Sequence, residues 1–420
     1  MNEYDSAAVA NILNEAGWHR SKIEDADIII VNTCAVRQNA EDRAMGRLLT
    51  IAGTYPKKTV GIMGCVAKEK GKEILQRNKH IDFAVGPGEI DRILEIAESE
   101  KKESILLEAD RLDGCGLRAE IPQNSLKAFV AITRGCENFC SYCIVPYVRG
   151  HFRSRPHGDI IDEIKRDIDL GIKEITLLGQ NVNSYLDTSS NQDFADLLYK
   201  IHRIDGLLRI RFVTNHPKDM SDKIIDAIAS LPKVCQSIHL PVQSGSTKVL
   251  SAMNRGYTRE KYLQLIDKIK DKIPDVALST DIIAGFPGET DSDFEETITL
   301  YKSVAYAGSF AFRYSPRPGT KAAGIPDDVP EKMKIQRLKR IIDLGQELAE
   351  KYSKMQVGRI KEVMVEELVN KGIRQCLGFD RSGRRVVFAD EGCSLGDILK
   401  VKVISAKRWL LFGEAINGDS

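Results

Sequence analysis

From Ala128 to Phe312 the chain alternates apolar, β-branched runs with amphipathic helical stretches, and the alternation repeats six times. Strands are expected over 128–132, 173–178, 207–213, 234–239, 276–282 and 308–312, with helices over 157–170, 193–203, 220–231, near 246–270, and 290–304. This pattern calls for parallel strands covered by helices. Six units make an open, partial (β/α) barrel. Sites on such barrels lie at the C-terminal ends of the strands. The loop leaving the first strand at that end, Arg134–Gly150 (RGCENFCSYCIVPYVRG), carries Cys136, Cys140 and Cys143. The CxxxCxxC spacing offers three thiolates, whereas a structural zinc site or an iron–sulfur cubane ordinarily takes four protein ligands. Two readings follow: His151 or His157 closes a zinc knuckle, or one iron of a cluster keeps an open position where a small molecule binds and is reduced.

A chain of 420 residues has length for two or three domains. Its 61 basic and 60 acidic residues leave a net charge of +1, so bulk charge points to no nucleic-acid partner and any such surface must be local. Nine unevenly spaced cysteines suit a reducing compartment and metal ligation rather than a disulfide framework. The N-terminal residues lack the basic and apolar segments of a signal peptide, and no apolar run approaches the ~18 residues of a membrane span. A cytoplasmic protein with no membrane partner is expected.

Residues 1–108 read as a doubly wound parallel-sheet domain with strands at 27–34, 59–65 and 81–86. Cys34 and Cys65 lie at the C-terminal ends of two of them, the edge where such sheets place their ligands. Packing as small apolar residues is their alternative role. The chain opens on a helix to Gly17, capped by Asp5 or Ser6, where a strand is expected. Residues 109–127 read as a linker, 128–355 as the barrel with a charged exit helix near 329–355, and 356–420 as a small closed β-barrel of five strands. From Val357 onward 11 Lys and Arg face 9 Asp and Glu, and Cys376 and Cys393 are expected to pack rather than ligate.

Several runs carry a resemblance: the cysteine loop, Arg153–Pro156 (RSRP), Leu177–Tyr185 (LLGQNVNSY), His239–Ser246 (HLPVQSGS), Asp281–Thr290 (DIIAGFPGET) and Arg313–Thr320 (RYSPRPGT). The cysteine spacing, with Tyr142 before the last thiol, resembles the radical S-adenosylmethionine (SAM) enzymes. The whole set resembles the methylthiotransferases, and within them the MiaB-type enzymes that act on tRNA, with a C-terminal TRAM barrel. The resemblance implies a radical-generating 4Fe–4S cluster on Cys136, Cys140 and Cys143, and a second, auxiliary 4Fe–4S cluster whose ligands include Cys34 and Cys65. It implies tRNA bearing N6-isopentenyladenosine beside the anticodon as substrate, methylthiolation at carbon-2, two SAM molecules, an electron donor and a sulfur source. An aromatic C–H has neither an acidic proton nor a leaving group, so a cofactor radical suits the task.

Gly179 and Gln180 end a barrel strand where backbone can approach a cofactor closely, and Tyr142 and Gln243 are further candidates for SAM contact. Gly285 and Gly288 suit either such contact or a tight βα turn. Asn138–Gly158 holds no Asp or Glu but has Arg149, Arg153 and Arg155, a candidate grip on anticodon-stem phosphates. The family's third auxiliary cysteine falls in a run like GCQMNEYDS, two residues ahead of the position of Met1. The expectation is therefore an N-terminally shortened chain with two of three auxiliary ligands, or one in which Cys115 substitutes. Two other functions stay open: a methylthiotransferase acting on threonylcarbamoyladenosine, against which the LLGQNVNSY run argues, and a tRNA-binding remnant without sulfur insertion.

Overall fold

A computed structural model describes residues 1–99, 104–108, 117–371, 373–389 and 392–416. Cys115 and residues 109–116 of the linker lie outside them. The N-terminal domain is a sheet of four parallel strands in sequence order, β1 (Ile28–Thr33), β2 (Thr59–Gly64), β3 (Phe83–Val85) and β4 (Ser104–Leu106). The first two pair along six residues, Ile28 with Thr59 through Thr33 with Gly64, with no gap between them. β4 is a strand that the pattern did not announce, being three residues in a polar stretch. Helices α2 (Gln38–Thr54) and α3 (Cys65–Arg77) cover one face around Leu48, Ile62 and Val66, while α1 (Asn2–Glu15) and α4 (Ile93–Ala97) cover the other around Phe83, Val85 and Ile93. Gly64 turns β2 into α3 at φ 95°, where any Cβ would overlap the Thr33 carbonyl.

The six barrel strands are all present: β5 (Lys127–Ala131), β6 (Glu174–Leu178), β7 (Arg209–Phe212), β8 (Ser237–His239), β9 (Ala277–Ala284) and β10 (Gly308–Arg313). They form two parallel three-stranded sheets, β7-β6-β5 and β8-β9-β10, joined at the seam by one bridge, Ile210 to Val234. Outer helices include α6 (His157–Asp169), α7 (Phe194–His202), α8 (Asp222–Ser230), α10 (Arg259–Lys272) and α11 (Asp291–Val304), with α5 (Val145–Arg149) in the cysteine loop and a short α9 (Thr247–Ala252). Reciprocal capping boxes, Asp193 with Asp196 and Thr290 with Asp293, fix where α7 and α11 start. Ile175, Leu177, Ile210 and Ile282 are wholly buried between sheet and helices. The exit helix α12 spans Glu331–Lys354.

The C-terminal barrel closes in the order β11 (Ile360–Lys371), β12 (Ile373–Asp380), β13 (Arg385–Ala389), β15 (Leu410–Ala415), β14 (Ile398–Lys407). Cys376 and Cys393, expected to pack, are both buried in its core and are joined there in a disulfide. It docks beneath the half-barrel, at the N-terminal ends of the strands. Arg209, fully buried, donates to the carbonyls of Phe379 (2.7 Å) and Glu362 (2.8 Å), and Arg211 donates to that of Asp380 (2.7 Å). Among the described residues no helix is long and apolar enough to cross a membrane.

The first helix is bolted to the half-barrel rather than capped as expected. Asp5 lies inside α1, 2% exposed, and its carboxylate accepts from Arg134 and Arg149, each at 2.9 Å. Beside it the Tyr4 hydroxyl donates to the Leu117 carbonyl at 2.9 Å and to Glu163 at 3.2 Å. Arg155 donates to Glu163 at 2.6 Å and to the Ala131 carbonyl at 2.7 Å. The phosphate grip expected of Arg149 and Arg155 is therefore corrected: at 8% and 3% exposure, both are committed to protein carboxylates. Arg153 pairs in backbone register with Arg134 in a two-residue ribbon.

Candidate active site at the mouth of the half-barrel

The cysteine loop leaves β5 through Gly135, at φ 72°, where a Cβ would overlap the His151 carbonyl. Its course is pinned by backbone bonds: Cys143 N–H to the Cys140 carbonyl at 2.9 Å, Ser141 N–H to that of Met253 at 3.0 Å, and Ala322 N–H to that of Ser141 at 2.8 Å. Burial, the largest cause, raises the Cys136 thiol and pushes that of Cys143 up to about 12, with Cys140 adding to both. Thiols held protonated this way release protons when they take a metal. Among the described residues no three His, Cys, Asp or Glu side chains converge to hold a single ion. The zinc alternative finds no support in the histidines: His157 Nδ1 is drawn to Asp187 at 2.7 Å, and His151, 67% exposed at its side chain, faces Glu137 at 3.2 Å.

Arg255 was not singled out by the sequence. It is 4% exposed, and its guanidinium donates to Cys140 Sγ at 3.3 Å, to the Pro241 carbonyl at 2.7 Å and to the Tyr257 hydroxyl at 3.1 Å. A cation beside a thiolate ligand offsets the charge of a cluster held there. Its one advance signal was position, in a loop on the mouth side between α9 and α10. Tyr142, half-buried, turns its hydroxyl toward the same guanidinium at 3.5 Å.

The remaining mouth is a set of polar groups without protein partners. Thr133 Oγ1, Gln180 Oε1, Asn181 Oδ1, Asn215 Oδ1 and His216 Nε2 are all buried and unbonded. All five follow the C-terminal ends of β5, β6 and β7. Buried polar atoms left this way cost free energy unless a ligand or water meets them. Gly179 lies against Thr133 so closely that a Cβ would overlap its hydroxyl. Gln243, 8% exposed, takes φ 72°, a left-handed conformation uncommon outside glycine, while its backbone bridges to Asp281 and Ile283. Gly285 reads as the tight turn: its N–H donates to Glu289 at 2.7 Å, at φ 73°.

Burial, with Arg255 and Lys218 adding, pushes the His216 imidazole from 6.5 down to about 2. It stays neutral at physiological pH, free to meet a ligand through Nε2. Because the folded pKa lies below the unfolded one, this stability is complete above pH 6.5 and is lost as pH falls toward 2. Denaturant titrations should show wild-type stability falling by about 1.4 kcal/mol per pH unit from this group below pH 6.5, a slope that His216→Gln removes. Equal slopes in both proteins would refute the assignment.

Cys34 and Cys65 directly follow the paired ends of β1 and β2. Cys65 is 2% exposed, Cys34 more open. Arg149 of the cysteine loop donates to Asn2 at 3.0 Å and to Asp5 at 2.9 Å on the N-terminal domain's first helix. Burial opposes its charge, and the charge of the nearby Cys65 sulfur helps to hold it protonated. Arg317 closes the same junction, donating to the Val36 carbonyl at 3.2 Å and to Gln38 at 2.7 Å. The Cys34–Cys65 sheet edge therefore adjoins the half-barrel on the side of the three-thiol loop.

Family models match three segments: Uncharacterized protein family UPF0004 over residues 1–86, the Radical SAM superfamily over 130–301 and the TRAM domain over 354–416. A protein of Clostridium botulinum (strain Loch Maree / Type A3) named tRNA-2-methylthio-N(6)-dimethylallyladenosine synthase is 46% identical over 99% of this chain and 95% of its own length. The chain belongs to that synthase family. Relatives of the same name from Carboxydothermus hydrogenoformans and Thermoanaerobacter pseudethanolicus are 42% and 41% identical, over 98% and 99% of this chain and 96% and 90% of theirs. Among solved structures, the radical SAM methyltransferase TsrM from Kitasatospora setae, with cobalamin and a 4Fe–4S cluster bound, matches at TM-score 0.59 and 14% identity, over 76% of this chain and 74% of that one. That likeness shows the fold alone. Radical SAM membership brings one 4Fe–4S cluster and SAM as cofactors. The mouth suits both, with three soft thiol donors on one loop and unbonded polar atoms beside them.

Proposed function

We propose that this chain methylthiolates carbon-2 of N6-isopentenyladenosine next to the anticodon of tRNA. The observation that carries the reading is the three-thiol loop opening onto a mouth of unpartnered polar atoms, in a chain 46% identical to a synthase of that name. Cys136, Cys140 and Cys143 are the ligands of the radical cluster, and Tyr142, Gly179, Gln180 and Gln243 line the SAM site. Bound on these thiolates, a 4Fe–4S cluster would supply the electron for reductive cleavage of SAM, the radical chemistry that hydrogen removal from carbon-2 requires. Arg255 balances charge at Cys140 and fixes its orientation. Neutral His216 and the amides of Gln180, Asn181 and Asn215 orient polar edges of cofactor and base. Cys34 and Cys65 are two ligands of an auxiliary 4Fe–4S cluster facing the same mouth, and an electron donor and a sulfur source complete the reaction. The target adenosine must leave its stack to reach the mouth, which a single-stranded anticodon loop makes cheap.

Reconstituted enzyme with reductant, methyl-labelled SAM and an isopentenylated anticodon stem–loop should place label in the RNA. Label appearing only in threonylcarbamoylated RNA would replace this substrate by the other. RNA that is bound but unlabelled, with sulfide and reductant present, would favour the tRNA-binding remnant.

A further inference from the structure

The inner face of the half-barrel holds an open concavity of about 450 Å³ below the mouth. Phe129 on β5, Val213 after β7 and Phe310 on β10 line it, and they remain 39%, 37% and 53% exposed. Large apolar side chains left open inside a concavity mark a ligand surface rather than a core. The ionisable groups among them, His239 and Arg211, are already engaged. His239 Nδ1 lies 2.9 Å from Ser279 Oγ and its Nε2 3.5 Å from Asp281, and its ring meets the Phe310 ring edge to face at 6.1 Å. At the floor, Arg211 Nε sits 3.0 Å from Glu174 while its other nitrogens serve the carbonyls of Asp380 and Arg381. At the rim the Arg37 guanidinium, three residues after Cys34, lies 4.8 Å from the Phe312 centroid and 5.8 Å from that of Phe310. The loop bearing Cys34 thus reaches the β10 edge of the cavity.

We infer that Phe129 and Phe310 form the subsite for an uncharged, branched apolar substituent on the substrate base, and so determine specificity for the isopentenyl group. The inference rests on the function proposed above and names the residues that read its substrate. A prenyl branch covers both phenyl rings with hydrocarbon and asks for no polar partner. A threonylcarbamoyl group would bring a carboxylate against those rings, where Arg211 and His239 are already committed; Arg37 at the rim is a cation that could meet it, so the preference rests on hydrocarbon contact with the rings.

The test uses the full chain and three anticodon stem–loop RNAs that differ only at the target adenosine: unmodified, isopentenylated or threonylcarbamoylated. Wild-type protein should bind the isopentenylated RNA on the order of 10- to 100-fold more tightly than the unmodified one, the range apolar pockets achieve for small hydrocarbon groups. Phe129→Ala with Phe310→Ala should bring that ratio close to one, and Phe310→Leu, which keeps apolar bulk, should retain most of it. Both rings are partly exposed, so truncation opens no core cavity, and circular dichroism melts check the fold. An undiminished ratio in the double variant overturns the inference and leaves the proposed reaction standing. A wild-type preference for the threonylcarbamoylated RNA overturns the substrate reading itself, and with it this subsite.

Discussion

Replacing Cys136, Cys140 and Cys143 together by alanine should reduce 5′-deoxyadenosine formation from SAM to background, with loss of the iron bound by this loop. The effect should be complete rather than graded, because among the described residues no other side chain is placed to substitute. His157 is held by Asp187 and His151 faces Glu137 at the surface. Anaerobic reconstitution, iron analysis and chromatography of the nucleoside product check it. The variant should still fold, since the loop is pinned by backbone bonds through Ser141 and Ala322 rather than by its thiols. Continued cofactor cleavage by the triple variant would remove the loop from the chemistry.

The second large effect concerns stability. Arg155→Met leaves Glu163, 1% exposed, as a buried carboxylate with its main partner gone. Breaking a buried pair in this way costs about 3–5 kcal/mol, and at about 2–4 °C per kcal/mol for a larger domain the melting temperature should fall by roughly 10 °C. Replacing both partners, Arg155→Met with Glu163→Met, should recover most of the loss, because an apolar pair of similar volume is often no worse than the ion pair. The affinity of folded Arg155→Met for tRNA, and its salt dependence, should match wild type. A variant of unchanged stability that binds tRNA weakly would restore Arg155 to the phosphate contacts.

The contrast between those two residue sets shows what the sequence could and could not reveal. The six barrel strands could be read because each is a β-branched run bounded by glycine or polar residues, and the cysteine loop because thiol spacing is a local property. Arg149 and Arg155 misled because their loop contains no acid, while the partner of Arg149 is Asp5, 144 residues away on the first helix. Arg155 finds Glu163 nearly two turns into α6, beyond the acid-free stretch. Arg255 was silent for the same reason, its neighbours Cys140 and Pro241 coming from other loops. The lumenal phenyl rings of Phe129 and Phe310 look in sequence like ordinary core residues of alternating strands. Only an unclosed barrel, with its inner face left open, makes them a surface.

Hydrogen removal from carbon-2 of an isopentenylated adenosine is the step proposed for this mouth. The direct measurement uses an anticodon stem–loop carrying deuterium at that carbon, incubated with reconstituted enzyme, SAM and reductant, followed by mass analysis of the 5′-deoxyadenosine released. Deuterium should appear in the 5′-deoxyadenosine with the isopentenylated RNA, and little or none with the unmodified RNA. Abundant 5′-deoxyadenosine free of deuterium, formed while the isopentenylated RNA is bound, would contradict it.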